Sequence, residues 1–450
     1  MLAGREAQEL AELVRARKTS AEEIVRAHLE QIERYEPGIN AFTVVLAEEA
    51  LQEARELDGR ADLRELPLAG VPVAVKDNVD VAGQPTRHGS AATSDSPAAG
   101  DDELVRRLRA AGCVVIGKTR LPELAIWPFT EPAAGGSTHN PWDPHRTPGG
   151  STGGGAAAVA AGMAPLALGS DGGGSIRIPA ACCGIVGLKP APGLVPIAGG
   201  GDAHWRGLSA FGPLAATVTD AGLMLAALGG PASAARPQVS ARPLRIAVST
   251  KAAAPGVSIQ SETVRAVEEI ATLLESAGHT ILREDPPYPA DLGLRFARRY
   301  LSGIAEDAEG LPFDKLEKRT RGMVRAGRFL ARRGWNAMAA EDDFGAAMKV
   351  WFARCDVLLM PTLSEPAVQL GRYDGRGWVR TMLATANWVQ TPQWNLAGFA
   401  GISVPAAMSP RGLPIGAQFV TPPDGETLLL SVARQVEELK GWPRWKPGRS

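Results

Sequence analysis

Residues 147–190 read TPGGSTGGGAAAVAAGMAPLALGSDGGGSIRIPAACCGIVGLKP and decide more about this chain than any other stretch. They place Ser151 after two glycines and Ser175 after three, with an alanine-rich segment between the two turns. Glycine permits positive φ and lets backbone N–H groups approach a bound carbonyl without obstruction by a Cβ. A flexible linker is the alternative interpretation, but apolar runs follow both turns immediately. The pattern therefore predicts two active-site turns, each presenting a serine.

The composition of the whole chain favours a folded protein that does not bind nucleic acid. Its 450 residues are 45% hydrophobic, which is enough to bury a large core. The formal net charge is -1, whereas a surface for nucleic-acid phosphates needs clustered lysine and arginine. The one arginine-rich patch, residues 319–333, has helical spacing and is interpreted as a solvated helix face.

Signals of export, membrane insertion and metal binding are not found in the sequence. The first residues contain no apolar export segment and no run of about eighteen apolar residues occurs, so we expect a cytoplasmic protein without membrane contact. The six histidines form no His-x-x-x-His pair, so we expect no metal site, and no cofactor is implied either. We expect reduced thiols in the core at the four cysteines, Cys113, Cys182, Cys183 and Cys355.

Hydrophobic periodicity predicts helices and strands that alternate along the chain. Two amphipathic helices come first, and the second begins with a capping box at Ser20. The apolar run 71–75 is typical of a buried strand. Residues 245–249, 261–277 and 280–282 read as strand, helix and strand, which together make a βαβ-like unit.

These elements predict one α/β domain spanning residues 1–450. Its central sheet is expected to be large, mixed and mostly parallel, with helices covering both faces. The one credible boundary is the stretch 231–243, which is rich in Ala, Ser, Pro and Arg. We interpret this stretch as a surface connection inside that domain.

Lys76 directly follows the buried strand predicted at 71–75. A lysine taken out of water without a partner favours its neutral form, and a neutral amine can accept a proton from a hydroxyl group. Lys76 is therefore a candidate general base. Two structural alternatives stay open, because the side chain could reach solvent or could pair with Asp77 or Asp80.

Three segments follow one another in a specific order: Lys76 behind its strand, PGGSTGG at 148–154 and GSDGGGSIRIPA at 169–180. The spacing is 75 residues from Lys76 to Ser151 and 24 residues from Ser151 to Ser175. Together these segments resemble the amidase signature family. Further similar segments, among them HNPWD at 139–143 and GISVP at 401–405, extend the resemblance over nearly the whole chain.

The resemblance implies the amidase signature fold and hydrolysis of a carboxylic amide C–N bond, with release of ammonia or an amine. It implies Ser175 as the nucleophile that forms an acyl-enzyme, Ser151 as a proton relay on a cis peptide bond, and Lys76 as the base. It also implies an oxyanion hole made of backbone N–H groups, those of Gly172, Gly173, Gly174 and Ser175.

Two positions depart from the family's pattern without removing a member of this triad. Thr152 stands where many members have a second serine, and Gly172 stands where many have threonine. Asp171 and Arg177 flank the second turn and are interpreted as structural residues that hold its shape.

Two other functions are compatible with parts of the sequence. Residues 149–153 also match Gly-x-Ser-x-Gly, the nucleophile elbow of α/β-hydrolases, which would make Ser151 the nucleophile. That interpretation needs a catalytic histidine late in the chain, and no histidine follows His279. The other alternative is an amidotransferase-type subunit that delivers ammonia to a partner, which activity of the purified chain alone would argue against.

The substrate is expected to be a small-molecule amide, bound partly by tryptophan side chains. Trp127, Trp205 and Trp388, together with Trp394, fall in loops that the resemblance places around the acyl site, although tryptophans of this kind more often belong to the core. We therefore expect uncharged or aromatic acyl groups. The resemblance is also compatible with a homodimer.

Overall fold

One sheet organises the chain in the computed structural model, which describes residues 2–200, 203–240, 242–335 and 343–444. The strands lie side by side in the order β1-β3-β2-β4-β6-β5-β10-β11-β9-β7-β8. Their bounds, in chain order, are β1 (Phe42–Val45), β2 (Pro72–Lys76), β3 (Val114–Thr119), β4 (Leu166–Asp171), β5 (Val186–Lys189), β6 (Ala210–Ala215), β7 (Arg245–Val248), β8 (Thr280–Arg283), β9 (Val357–Pro361), β10 (Ala400–Met408) and β11 (Pro414–Thr421).

Helices cover both faces of this sheet. Every residue of β2, β3, β4, β9 and β11 is buried, and because successive side chains of a strand point to opposite faces, both faces must be covered. The α-helices of the described residues are α1 (Ala7–Arg15), α2 (Ala21–Ile39), α3 (Ala47–Asp58), α4 (Glu103–Ala110), α5 (Gly153–Ala160), α6 (Arg177–Cys183), α7 (Val218–Leu228), α8 (Ser261–Ser276), α9 (Leu292–Asp307), α10 (Lys318–Arg332), α11 (Phe344–Trp351), α12 (Trp378–Ala386), α13 (Pro392–Leu396) and α14 (Glu426–Lys440).

Local sequence signals set several of these boundaries. The capping box predicted at Ser20 begins α2: Ser20 Oγ accepts the N–H of Glu23 at 3.0 Å, and the Glu23 carboxylate accepts the N–H of Ser20 at 3.0 Å. The helix ends at Asn40, whose φ of 56° lies in the left-handed region. The predicted βαβ-like unit is confirmed as β7, α8 and β8, with the two strands parallel.

The sheet is mixed, as predicted, but it is not mostly parallel. Of its ten strand pairings within the described residues, six are antiparallel. A buried strand has the same apolar sequence in either orientation, so composition could not separate the two. The sequence did contain one signal of an antiparallel pair, because residues 409–413 are too few for the crossover that parallel strands require. They connect β10 and β11 as an antiparallel hairpin.

The order of the strands divides the sheet into two halves that follow the sequence. Strands β1 to β6 form one half and β7 to β11 the other, and the antiparallel pairing of β5 with β10 joins them. The predicted connection at 231–243 lies between the halves, with residue 241 outside the described residues. Ala234 is buried in a short 3-10 helix, Ala232–Ala235, so part of this connection packs against the core.

The fold brings the ends of β2 and β4 together. These strands are parallel neighbours, so their last residues, Lys76 and Asp171, lie at the same edge of the sheet. The four cysteines are buried and form no disulfide, as predicted. Across the described ranges, no helix combines the length and the apolar character needed to cross a membrane.

Candidate active site

Lys76 is the last residue of β2 and its side chain is completely buried. Its Nζ lies 2.7 Å from Ser151 Oγ and 2.8 Å from Ser170 Oγ. The two structural alternatives fail, because the side chain does not reach solvent and Asp77 pairs instead with Lys118 at 2.8 Å. No carboxylate of the described residues lies within ion-pair distance of this lysine.

The environment of Lys76 favours its uncharged form. Burial lowers the pKa of Lys76 to about 7, and the negative charge of Asp171 offsets only part of that effect. An exposed lysine, with a pKa of about 10.4, would be almost wholly protonated at neutral pH. A large fraction of Lys76 is therefore able to accept a proton at neutral pH.

Ser151 lies in a turn that leaves almost no free space. The peptide bond between Gly150 and Ser151 is cis, as the resemblance implied. A Cβ on Gly150 would lie 2.7 Å from the carbonyl oxygen of Trp127, so only glycine fits at that position. The N–H of Thr152 donates to the carbonyl oxygen of Ser175 at 3.2 Å, which ties the first glycine turn to the second.

The second glycine turn has fewer free N–H groups than predicted. The N–H of Gly174 donates to Asp171 Oδ1 at 2.6 Å, so it is already occupied and does not fit the predicted role in an oxyanion hole. Gly174 does not fit that role because its N–H donates to the Asp171 carboxylate, at the end of β4, inside the turn. For the N–H groups of Gly172, Gly173 and Ser175, the described part of the chain provides no acceptor.

A buried ion pair holds this turn from behind. Asp171 and Arg177 are both fully buried, with Arg177 Nε 3.0 Å from Asp171 Oδ2. Asn395 donates to Asp171 at 2.8 Å and accepts from Arg177 at 2.6 Å. Burial alone would raise the pKa of Asp171, but the charge and hydrogen bonds of Arg177 hold this pKa well below its ordinary value. The predicted pairing of Asp171 with Arg177 is confirmed.

A cavity of about 390 Å³, here called the polar cavity, opens in front of both serines. Burial lowers the pKa of His88 in its wall, so that ring is neutral at neutral pH. The polar groups that line the cavity belong to Asn78, Thr86, His88, Thr93, Ser94, Ser151, Ser170, Ser175, His204, Ser209 and Asp307.

A second cavity of about 610 Å³, here called the apolar cavity, is also lined by Ser175. Ser175 and Trp205 line both cavities, whereas Ser151 lines only the polar one. Ser175 therefore stands at the junction of the two cavities. Apolar side chains form most of the wall of the apolar cavity, and they include Ile126, Trp127, Leu292, Phe296, Tyr300, Met382 and Val389.

The predicted tryptophans divide into two groups. Trp127 and Trp205 line the apolar cavity. Trp388 does not line either cavity: it is 2% exposed, and its Nε1 donates to the carbonyl oxygen of Glu365 at 3.1 Å. Trp394 is likewise fully buried in the core. The position of a tryptophan in the sequence does not show whether its indole is buried in the core or faces a cavity.

Several polar residues of the site were missed by the sequence analysis. Ser170 contacts Lys76 and also accepts from Asn78 Nδ2 at 3.1 Å. The sequence contained one signal for Ser170, because this residue lies within the segment 169–180, directly before Asp171. His204 and Asp307 lie 103 residues apart in the sequence, and no motif connects them.

Asp307 organises one wall of the polar cavity. Its carboxylate accepts from Trp205 Nε1 at 2.6 Å and lies 3.1 Å from His204 Nε2. His204 Nδ1 in turn lies 2.7 Å from Ser209 Oγ. These contacts fix the orientation of Trp205 between the two cavities.

Known proteins resemble this chain along nearly all of its length. The model of the amidase family matches residues 23–430. A Mycobacterium tuberculosis protein assigned as amidase AmiB2 is 43% identical over 438 residues, covering 95% of this chain and 94% of its own. The structure of a 6-aminohexanoate cyclic dimer hydrolase is 30% identical with a TM-score of 0.85, covering 98% of each chain. A bacterial aryl acylamidase, 24% identical, shares the fold with a TM-score of 0.86, covering 98% of this chain and 97% of its own.

Proposed function

The chain belongs to the amidase signature family, and from that premise we propose that Ser175, Ser151 and Lys76 carry out its amide hydrolysis. The protein is an amidohydrolase that cleaves carbon–nitrogen bonds of small-molecule amides. The observation that carries the proposal is the 2.7 Å contact between Lys76 Nζ and Ser151 Oγ, in a cavity that Ser175 also lines.

In the first half of the reaction, the uncharged amine of Lys76 accepts the proton of Ser151. Ser151 accepts the proton of Ser175 as Ser175 Oγ attacks the carbonyl carbon of the amide. The carbonyl oxygen gains negative charge and is stabilised by the free N–H groups of Gly172, Gly173 and Ser175. A preorganised donor of this kind contributes on the order of 3 kcal/mol to lowering the barrier.

In the second half, the same proton path runs in reverse. Ser151 gives a proton to the amide nitrogen, the C–N bond breaks, and the amine departs from an acyl group bound to Ser175. Water then attacks the acyl carbon, with its proton taken through Ser151 to Lys76. The carboxylic acid leaves and Ser175 regains its proton.

The apolar cavity favours an uncharged or aromatic acyl group. Its wall consists mostly of aliphatic and aromatic side chains, its one acidic lining residue among those described, Asp291, is paired with Arg295 at 3.0 Å, and burying an unpaired charge is costly. A panel of aliphatic, aromatic and charged acyl amides tests this choice by comparing kcat/KM. Preference for a charged acyl group would contradict it.

A second candidate nucleophile is Ser209, since it contacts His204, which contacts Asp307. A serine, an imidazole and a carboxylate in such a chain can activate an alcohol. However, the N–H of Ser209 donates to the carbonyl oxygen of His204 at 3.4 Å, so it is not free to stabilise an oxyanion. We therefore assign the attack to Ser175.

Covalent labelling separates these possibilities. A fluorophosphonate reagent followed by peptide mapping should modify Ser175, and Ser175→Ala should abolish the labelling while Ser209→Ala retains it. Labelling of Ser151 would favour the α/β-hydrolase interpretation, and labelling of Ser209 would favour the second candidate. Either result overturns the assignment.

The purified chain alone should hydrolyse amides, at a rate that falls in Ser151→Ala. Activity that appears only with a partner protein would favour the amidotransferase-type subunit. A cytoplasmic location and a homodimer belong to the same proposal, and cell fractionation and light scattering test them.

A further inference from the structure

The two cavities that meet at Ser175 accommodate different parts of a substrate. This inference rests on the proposed function. In the proposed mechanism Ser151 gives its proton to the departing nitrogen, so that nitrogen must lie next to Ser151. Ser151 lines the polar cavity and is not among the residues that line the apolar one. The leaving amine therefore occupies the polar cavity, while the acyl group extends into the apolar cavity.

The polar cavity contains one acidic side chain and no lysine or arginine among the described residues that line it. Its ionisable lining residues are His88, His204 and Asp307. Burial lowers the pKa of His88, which keeps that ring uncharged at neutral pH. Lys118, which lies behind the wall, is already paired with Asp77 at 2.8 Å.

Two side chains of the cavity wall contact the Asp307 carboxylate. Trp205 Nε1 donates to it at 2.6 Å, and His204 Nε2 lies 3.1 Å from it. A carboxylate offers about four acceptor sites, so sites are left for a ligand. Among the described residues, no lysine or arginine forms an ion pair with Asp307.

The position of Asp307 at the end of a helix adds to this negative potential. Asp307 is the last residue of α9, a helix of 16 residues. The carbonyl groups at a helix C-terminus carry about half a negative elementary charge, which attracts cations. The neighbouring Glu306 is different, because it is exposed and pairs with Arg206. Of these two carboxylates, that of Asp307 lines the polar cavity.

We propose that Asp307 makes this enzyme selective for amides whose leaving amine carries a second, positively charged group. The acyl part of such a substrate lies in the apolar cavity, and the cationic end of its amine contacts Asp307 in the polar cavity. A neutral amine fits the same cavity but lacks the charge-assisted hydrogen bond.

A matched pair of substrates tests this selectivity. N-(3-aminopropyl)-4-phenylbutanamide and N-butyl-4-phenylbutanamide share the acyl group and differ at the amine end, which is an ammonium group in the first and a methyl group in the second. The wild-type enzyme should prefer the cationic substrate by about tenfold or more in kcat/KM, the size expected of one charge-assisted hydrogen bond. Higher ionic strength should reduce this preference.

Three variants complete the test. Asp307→Asn should bring the ratio of the two substrates close to one while the neutral amide is still hydrolysed, and Asp307→Glu, which keeps the charge, should keep a preference for the cation. Glu306→Gln removes the neighbouring exposed carboxylate and should leave the ratio unchanged. These ratios compare two substrates on the same protein, so a partly destabilised variant remains informative.

Other outcomes overturn the inference. If the wild-type enzyme hydrolyses both amides without preferring the cation, or if Asp307→Asn leaves a preference intact, Asp307 does not select the amine. In both cases the proposed function still holds, because turnover and labelling of Ser175 do not depend on this preference. Absence of both turnover and labelling would overturn the proposed function and this inference together.

Discussion

Lys76 and Asp171 end two neighbouring parallel strands, and both are fully buried. They differ in whether a side chain of opposite charge lies beside them. Asp171 is surrounded by partners, with an ion pair to Arg177 and a hydrogen bond from Asn395. Lys76 contacts hydroxyl groups and no carboxylate in the described structure. Accordingly the pKa of Asp171 is lowered, which keeps it charged, while burial lowers the pKa of Lys76 toward neutrality.

This difference separates a structural charge from one suited to chemistry. A buried charge that is fully paired stays in one protonation state over the whole physiological range. A buried lysine without an anion can gain and lose its proton near neutral pH, which is what a general base must do. Variants of Lys76 and of Arg177, the partner of Asp171, should therefore behave in opposite ways.

The largest effect is expected from Lys76→Met. Without its base the proposed triad should lose about 1,000-fold or more in kcat/KM, measured by steady-state amide hydrolysis. Stability should not fall, because the pKa of Lys76 is about 7 in the folded protein and about 10.4 when unfolded. Between these values the unfolded chain binds more protons, so the free energy of unfolding rises with pH there, and the destabilisation caused by the lysine is largest below about pH 7.

Urea unfolding at pH 7 therefore completes the Lys76→Met experiment. We expect the variant to be at least as stable as the wild-type protein. An active variant, or one that loses several kcal/mol, would show that Lys76 is a structural residue.

The opposite result is expected for Arg177→Met. Removing one partner of a buried pair leaves the Asp171 carboxylate uncompensated, which costs about 3–5 kcal/mol. Urea unfolding should show this loss. Arg26→Met, which removes an exposed ion pair with Glu22, is the control and should leave the unfolding curve nearly unchanged. Equal curves for the two variants would mean that the buried pair does not hold the turn.

The pH dependence of the wild-type enzyme gives a third test. The base must be uncharged to accept a proton, so kcat/KM should fall about tenfold for each pH unit below the Lys76 pKa of about 7 and be level above it. If Lys76 had an ordinary pKa, the rate would continue to rise to about pH 10. A profile that is flat between pH 5 and 7 would rule out Lys76 as the titrating base.

The smallest effect is expected from Ser170→Ala. Ser170 Oγ lies 2.8 Å from Lys76 Nζ, and loss of this acceptor should disfavour the protonated amine. The acidic limb of the kcat/KM profile should therefore move to lower pH, with a loss of about tenfold or less at its plateau. Ser233→Ala, at an exposed position, is the control. A limb that stays in place would show that Ser170 does not influence the lysine.

The sequence predicted the two turns well because their residues are close together and have few conformational options. The glycines around Ser151 and Ser175 are required by close contacts, and Lys76 follows a run of apolar residues that had to be buried. The role of Gly174 could not be predicted, because the direction in which its N–H points depends on how the Asp171 carboxylate is placed.

The rest of the site depends on tertiary packing. The orientation of the strands was predicted wrongly because antiparallel and parallel buried strands have the same composition. Trp205 and Trp388 have the same side chain, yet one faces the cavities and the other lies in the core. Asp307 reaches the polar cavity from the end of α9. No local sequence pattern predicts its contact with Trp205, which lies in a distant part of the chain.

The division of the sheet into two sequential halves has a consequence for synthesis on the ribosome. Lys76, Ser151 and Ser175 all lie in the first half, so they emerge early. Asn395 and Gln418, which hold Arg177 and through it the Ser175 turn, belong to the second half and emerge last. A nascent chain thus carries all three residues of the proposed triad before it carries Asn395 and Gln418, so catalytic competence should be delayed until translation is nearly complete.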